Sequence, residues 1–304
     1  MATSTSSVSS PPREQHLSWN WQNQTILAAY ERFGVGSPVI LLPALSTVST
    51  RQEFSGVAQR LVAAGFQGIL VDWPGFGESD RGDWGYTPAF YRQFILALLD
   101  ELGAEPVTLV AAGHGAGYAL YAAQQLPNRV SQVAVVAPTW RGPFTAMGLP
   151  VPIAQGVQAL VRSPLLGDGL YALNTLPDFL KFMYERHVFT DATRLTPDFI
   201  AAKRMVTQKE GAKYGPAAFV TGGLDPVTCR EDFLALARSV SQPMLALLAE
   251  QAPPQSKAEM AALGTLPQVR SQWLPGSLGL HEEFAPVVAT ALLNWLSDDP
   301  ERQA

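Results

Sequence analysis

A single cysteine, Cys229, leaves this 304-residue chain without the means to form an internal disulfide, and no grouping of cysteine and histidine has metal-site spacing. Charge is scarce too. Only 15% of residues are charged, the net charge is −5, and no basic block stands anywhere, which argues against nucleic acid and anionic membrane surfaces as partners. No apolar run approaches the roughly 18 residues that a membrane span needs. Met1 to Pro12 is rich in Ser, Thr and Pro but lacks the apolar stretch of a secretory signal, so residues 1–16 are expected to form a disordered tail. One cysteine and no export signal together suit a reducing cytoplasm. Nothing in the composition calls for a metal or another cofactor.

Apolar residues are plentiful, at 47%, and their spacing is orderly. Leu17, Trp19 and Trp21 alternate, and Thr25 to Phe33 continues extended, the pattern of an antiparallel hairpin. Four short apolar runs then read as buried strands: Val39 to Leu42, Ile69 to Val71, Pro106 to Ala112 and Val133 to Val136. Helical spacing separates them, with Phe54, Val57, Ala58, Leu61 and Val62 in one segment and Phe90, Phe94, Ile95, Leu98 and Leu102 in another. Such alternation predicts right-handed crossovers and a mainly parallel sheet covered on both faces. From Arg141 to about Gly223 the strand signal stops, and helical segments over 169–189 and 197–209 replace it. Strands return at Met244 to Leu248 and Val269 to Leu274, after a helix over 226–240 and before a closing helix over 286–296. The expected organisation is an α/β core over 17–140 and 224–304, interrupted by a helical cap over 141–223.

Two motifs carry chemistry. The run Asp72-Trp73-Pro74-Gly75-Phe76-Gly77-Glu78-Ser79 follows one strand, and Gly113-His114-Gly115-Ala116-Gly117 follows another and precedes a helix that Pro127 stops. With these motifs and this element order, the chain resembles the α/β-hydrolase superfamily from about Leu17 to Leu296. The first motif is similar to its D-x-P-G-x-G-x-S loop, and the second to its G-x-S-x-G nucleophile elbow. The resemblance implies an α/β-hydrolase fold with a helical cap and a site built from a nucleophile, an acid, a histidine base and an oxyanion hole.

Set against that pattern, the site is stripped. Gly115 falls where the nucleophile belongs. After the strand ending at Leu248 the acid positions fall on Gln251 and Ala252, and Glu250 matches a preceding glutamate that is usually not the acid. The usual ending resembles G-H-x-x-H-E-E; aligned on His281-Glu282-Glu283, the base position falls on Leu278, and a gap is needed to bring in His281 instead. Pro43-Ala44 replaces the oxyanion turn, leaving the N–H groups of Leu45 and Ala116 as candidate donors, with Ser46, Thr47, Ser49 and Thr50 as nearby hydroxyls. His114 reads more simply as a buried, hydrogen-bonded histidine than as a base. Trp73, Trp140, Phe144, Phe179, Phe182 and Tyr184 are candidates to line an apolar chamber under the cap, with Arg141 at its edge.

Three functions follow. The first is a non-hydrolytic member, inactive towards esters, that binds a small apolar ligand or a protein partner through the capped pocket. The second is an enzyme of unusual mechanism (hydrolase, lyase or cofactor-free oxygenase) using His281 or a hydroxyl of the 46–50 loop. The third is a structural or assembly role through an outer surface.

Overall fold

A computed structural model describes residues 13–146, 148, 151–163 and 167–298. The expected tail at 1–12 lies outside the described residues. Its last part does not fit the expectation, because strand β1, Arg13–Trp21, already begins at Arg13. There Arg13 pairs opposite Arg32 of β2, Gln24–Phe33, in the antiparallel hairpin.

The remaining strands are β3 Pro38–Leu42, β4 Gln67–Val71, β5 Val107–Ala112, β6 Val130–Val136, β7 Met244–Ala249 and β8 Val269–Leu274. They form one sheet in the order β1-β2-β4-β3-β5-β6-β7-β8. From β4 through β8 every neighbouring pair is parallel, and β2 joins β4 antiparallel. β3, β5 and β7 are buried along their whole length. That is what a parallel sheet covered on both faces requires, and it explains why these strands read as continuous apolar runs.

Around the sheet lie α1 Ser55–Ala63, entered through a 3-10 turn at Arg51–Phe54, α2 Pro88–Glu101 and α3 Gly115–Gln125. Thr87 caps α2 by accepting the Phe90 N–H, and Pro88 takes the first helical position, where its missing N–H costs nothing. Between β6 and β7 comes the helical insertion: α4 Pro143–Ala146, α5 Val151–Arg162, α6 Gly167–Asn174, α7 Pro177–Met183, α8 Pro197–Thr207 and α9 Tyr214–Val220. Then follow α10 Arg230–Arg238, α11 Pro254–Gly264, α12 Leu280–Glu283 and α13 Ala285–Ser297. Among the described residues no helix is long and apolar enough to cross a membrane.

The insertion departs from the expected pair of long helices. The segment 169–189 breaks at Leu176, whose extended backbone (φ −61°, ψ 143°) is imposed by Pro177, and ends in a π turn at Tyr184–Val188. The helix expected from 226 starts only at Arg230. A small apolar cluster of Leu180, Tyr184, Phe189, Leu195 and Ile200 holds the insertion together and takes in Val48 from the loop after β3.

Candidate functional site

The turn from β5 into α3 decides which residue stands at the elbow. Its left-handed residue is Gly113, with φ +50°, immediately after β5 ends at Ala112; Gly115 is already the first residue of α3. An elbow presents its nucleophile from the strained residue between strand and helix, and here that residue is Gly113. A Cβ at Gly113 would stand 2.9 Å from the Ala44 Cβ and 3.7 Å from Thr139 Oγ1. A Cβ at Gly115 would instead press on the Pro43 carbonyl at 3.1 Å and on Trp73 at 3.4 Å. The nucleophile position expected at Gly115 therefore points into packed structure. Gly117 serves close packing, since a Cβ there would run into the Pro226 ring.

That close pass organises the surroundings. The segment 224–226, returning from the insertion, is held against α3 by Tyr118, whose hydroxyl donates to the Leu224 carbonyl at 2.8 Å. Arg92 of α2 donates to the Pro226 carbonyl at 2.7 Å. Asp225 is thereby brought over His114. His114 Nε2 lies 3.2 Å from Asp225 Oδ1, and its Nδ1 lies 2.8 Å from Thr139 Oγ1. Phe219 packs edge-on against the imidazole at 5.0 Å. Asp225 also accepts the Gly142 N–H at 2.7 Å, and its Oδ2 lies 2.9 Å from the Thr145 hydroxyl. A carboxylate only accepts, so Nε2–H donates to Asp225, and in that tautomer Nδ1 accepts from Thr139.

The oxyanion donors expected at Leu45 and Ala116 are both wholly buried, and the Ala116 N–H is already donated to the Gly113 carbonyl at 3.2 Å. Ser46 and Thr47 are half-buried, and Ser46 Oγ lies 3.0 Å from Ser49 Oγ, so this loop is knitted to itself.

The residues at the expected acid and base positions are engaged in packing and hydrogen bonds of their own. Gln251 turns its amide oxygen to the Gly276 N–H, and its own N–H donates to the Gly276 carbonyl at 2.9 Å, while Ala252 is buried. Glu250 is exposed. Leu278 and Gly279 donate their N–H groups to the carbonyls of His187 and Val188 in the insertion, at 3.3 and 2.9 Å. Ser277 adds a 2.7 Å bond from its hydroxyl to the His187 carbonyl. His281 is buried with its ring on Phe54, and Nε2 lies 3.1 Å from Glu53 Oε2. Nothing in the sequence pattern points to that partner. Glu282 pairs with Lys203 of α8 at 2.8 Å, and Glu283 accepts the N–H groups of Thr190 and Asp191 at 2.8 and 2.7 Å. Residues 277–283, where a catalytic histidine would be expected, thus form the seat on which the insertion is fastened.

Most residues expected to line a chamber do other work. Trp73 is fully buried and donates Nε1–H to the Pro43 carbonyl at 2.8 Å, so no water-sized space touches it. Trp140 is buried, with Nε1 3.2 Å from Glu259, and the exposed Arg141 stacks on its outer face at 4.2 Å. Tyr184 belongs to the insertion's own cluster, and Phe144 is half-buried. Phe179 and Phe182 face solvent, 39% and 51% exposed, because α7 buries Leu180 instead. A groove of about 500 Å³ between α7 and α8 is lined by Lys181, Leu195, Ile200 and Arg204 among others, with no residue of the sheet or elbow.

Comparison with known proteins agrees with this architecture. The family model for the alpha/beta hydrolase fold matches residues 37–213, more than half of the chain. The chain belongs to the α/β-hydrolase fold family. Among curated relatives it is 30% identical over 153 residues to a 2-hydroxy-6-oxononadienedioate/2-hydroxy-6-oxononatrienedioate hydrolase of Cupriavidus pinatubonensis, covering 50% of this chain and 48% of that one. It is 32% identical over 108 residues to a haloalkane dehalogenase of Agrobacterium fabrum, covering 36% and 34%. The match thus spans about half the length of these relatives, or less. Among solved structures, a thermophilic esterase from Thermogutta terrifontis superposes with a TM-score of 0.70 at 22% identity, covering 94% of this chain and 98% of that one. A bromoperoxidase from Bacillus anthracis gives 0.71 at 19%, covering 93% and 100%. These two show a shared fold.

Proposed function

We propose that the family's acyl-transfer centre at the elbow is out of use in this protein, and that the capped side of the fold receives a small apolar molecule without attack by an elbow side chain. The observation that carries this is Gly113: the strained residue between β5 and α3 has no side chain. In this frame Ala111-Ala112-Gly113-His114-Gly115 stands where G-x-S-x-G would be, and the nucleophile position moves two residues from Gly115. The loops expected to supply acid and base support the same conclusion, since Gln251 binds Gly276 and residues 277–279 bind the cap. Of the two routes by which catalysis would survive, the one through His281 finds the ring paired with Glu53 through Nε2 but no hydroxyl hydrogen-bonded to its Nδ1.

The experiment is to put a serine back and look for the old chemistry. Gly113→Ser and Gly115→Ser are each expected to add no turnover of short-chain p-nitrophenyl esters over the parent chain. At 115 the new Cβ meets the Pro43 carbonyl; at 113 it meets Ala44 at 2.9 Å and a left-handed backbone that costs a non-glycine residue about 1–2 kcal/mol. At 113 the new hydroxyl would also find His114 Nδ1 already taken by Thr139, and a serine without a base of its own is a poor nucleophile at neutral pH. New activity in Gly113→Ser that disappears in the double variant with His281→Ala would overturn the proposal.

A further inference from the structure

We propose that a replacement catalytic set stands one strand away from the empty elbow, with Thr139 as nucleophile, His114 as base and Asp225 as the acid that orients it, acting on small uncharged carboxylic esters. It builds on the proposal that the elbow centre is out of use, and adds that the molecule received there is turned over.

Geometry comes first. The Thr139 hydroxyl lies 3.7 Å from where a Cβ on Gly113 would be, so it occupies the neighbourhood in which an elbow nucleophile would act. It is 2.8 Å from His114 Nδ1, within the reach a general base needs, and the other ring nitrogen is 3.2 Å from a carboxylate. This is the hydroxyl–imidazole–carboxylate chain of acyl-transfer enzymes with the two ring nitrogens exchanged. Asp225 is fixed by the Gly142 N–H, and the imidazole is buried, so the base is held in one orientation. Thr139 is not fully enclosed. Thr139 and Ala44, the two residues flanking the Gly113 Cβ direction, are both half-buried, whereas Gly113, Gly115 and Ala116 are buried.

The chemistry balances without a co-reactant other than water. Thr139 Oγ attacks the ester carbonyl carbon while its proton passes to His114 Nδ1, giving an imidazolium paired with Asp225. Collapse of the tetrahedral intermediate breaks the bond to the leaving alkoxide, which takes the proton from Nδ1. Water then attacks the threonyl ester with His114 again accepting the proton, and the acid product leaves with Thr139 restored.

A purely structural role for the same three residues, bridging β6, the elbow and the cap return, predicts lost stability but no covalent chemistry. The full chain is therefore treated with diethyl p-nitrophenyl phosphate, which would lose p-nitrophenolate and leave a diethylphosphoryl group on the attacking oxygen. Peptide mass mapping reads its location. The expected result is an adduct on Thr139, absent in Thr139→Val, retained in Thr139→Ser, and formed on the order of 10²–10⁴-fold more slowly in His114→Gln or Asp225→Asn. Thermal melts identify any variant that fails to fold, and Thr139→Ser, which keeps the hydroxyl, tests the same point with the least disturbance. No adduct on Thr139 in the folded parent chain, or one that persists unchanged in folded Asp225→Asn, would overturn the inference. Neither result touches the proposal about the elbow, which fails only if serine at 113 works through His281.

Discussion

Replacing Arg51 with alanine is expected to destabilise the protein by about 3–5 kcal/mol, a fall in melting temperature on the order of 10 °C. Arg51 opens the 3-10 turn before α1 and is 4% exposed. Its guanidinium reaches three carboxylates: Asp72 at the end of β4, Glu31 on β2 at 2.9 Å, and Glu14 on β1. Asp72, 1% exposed, accepts in addition the N–H groups of Arg51 and Glu78, so one buried pair ties the outer strands to the loop 72–79. Alanine would leave that carboxylate buried without its counter-charge. Lysine is expected to recover only part of the loss, since a compact ammonium cannot direct donors along three separate lines.

The pH dependence has a definite sign. Burial pushes the Asp72 carboxyl above its ordinary 3.8, and Arg51 works against that shift. An acid with a raised pKa stabilises the folded state below its unfolded pKa and loses that contribution as pH rises through the folded value. Removing Arg51 raises it further, so the gap between variant and parent should be widest at neutral pH and narrow as the pH falls through the carboxylate range. Denaturant melts at several pH values give the measurement; a gap that stays constant would mean that Asp72 is not the group left exposed to the loss.

Much of the fold was legible because strand burial is written directly in composition: β3 and β5 are continuous apolar runs, and the antiparallel hairpin alternates. The elbow was legible as a turn but not in its frame. Gly113-His114-Gly115-Ala116-Gly117 offers glycines at every second position, so a register centred on Gly113, with Ala111 in place of the first glycine, competes with the one centred on Gly115. Only the backbone angle at Gly113 separates them. Thr139 and Asp225 could not be found by motif, since they lie 25 and 111 residues from His114. The available signal was His114 itself, a polar ring beside an apolar strand that had to find partners. Phe179 and Phe182 misled for a different reason, because helical spacing shows that a face is apolar without showing which way the helix turns it. The His281-Glu282-Glu283 run stands out in the sequence, but its use was hidden, since all its partners (Glu53, Lys203, and the N–H groups of Thr190 and Asp191) are distant along the chain.

The second large effect is expected at Lys203, which fastens the insertion to the core. Its Nζ lies 2.8 Å from Glu282 Oε1 and 3.9 Å from Glu53 Oε1, and it sits over the rings of Phe199 and Tyr184 at 5.3 and 5.8 Å. Burial works to lower its pKa, but Tyr184, Glu282 and Glu53 outweigh burial and hold it above the ordinary 10.5. The stabilising contribution of a cation raised in this way is complete below its unfolded pKa and is lost only as pH rises through the higher folded value. Lys203→Met keeps the packing and removes the charge, leaving Glu53, 5% exposed, with His281 as its remaining partner. We expect a loss of about 3–5 kcal/mol at neutral pH. The difference from the parent should stay nearly flat up to about pH 10, because the pair persists in the parent throughout that range. The loss should also be local. Hydrogen exchange is expected to rise first over 184–207 and 277–283, the two sides of the fastening, while β3, β5 and β6 stay protected, since a subglobal opening need not melt the sheet. Uniform acceleration across the sheet would show instead that the insertion and the core unfold as one unit, and that Lys203 stabilises the whole rather than holding one part onto the other.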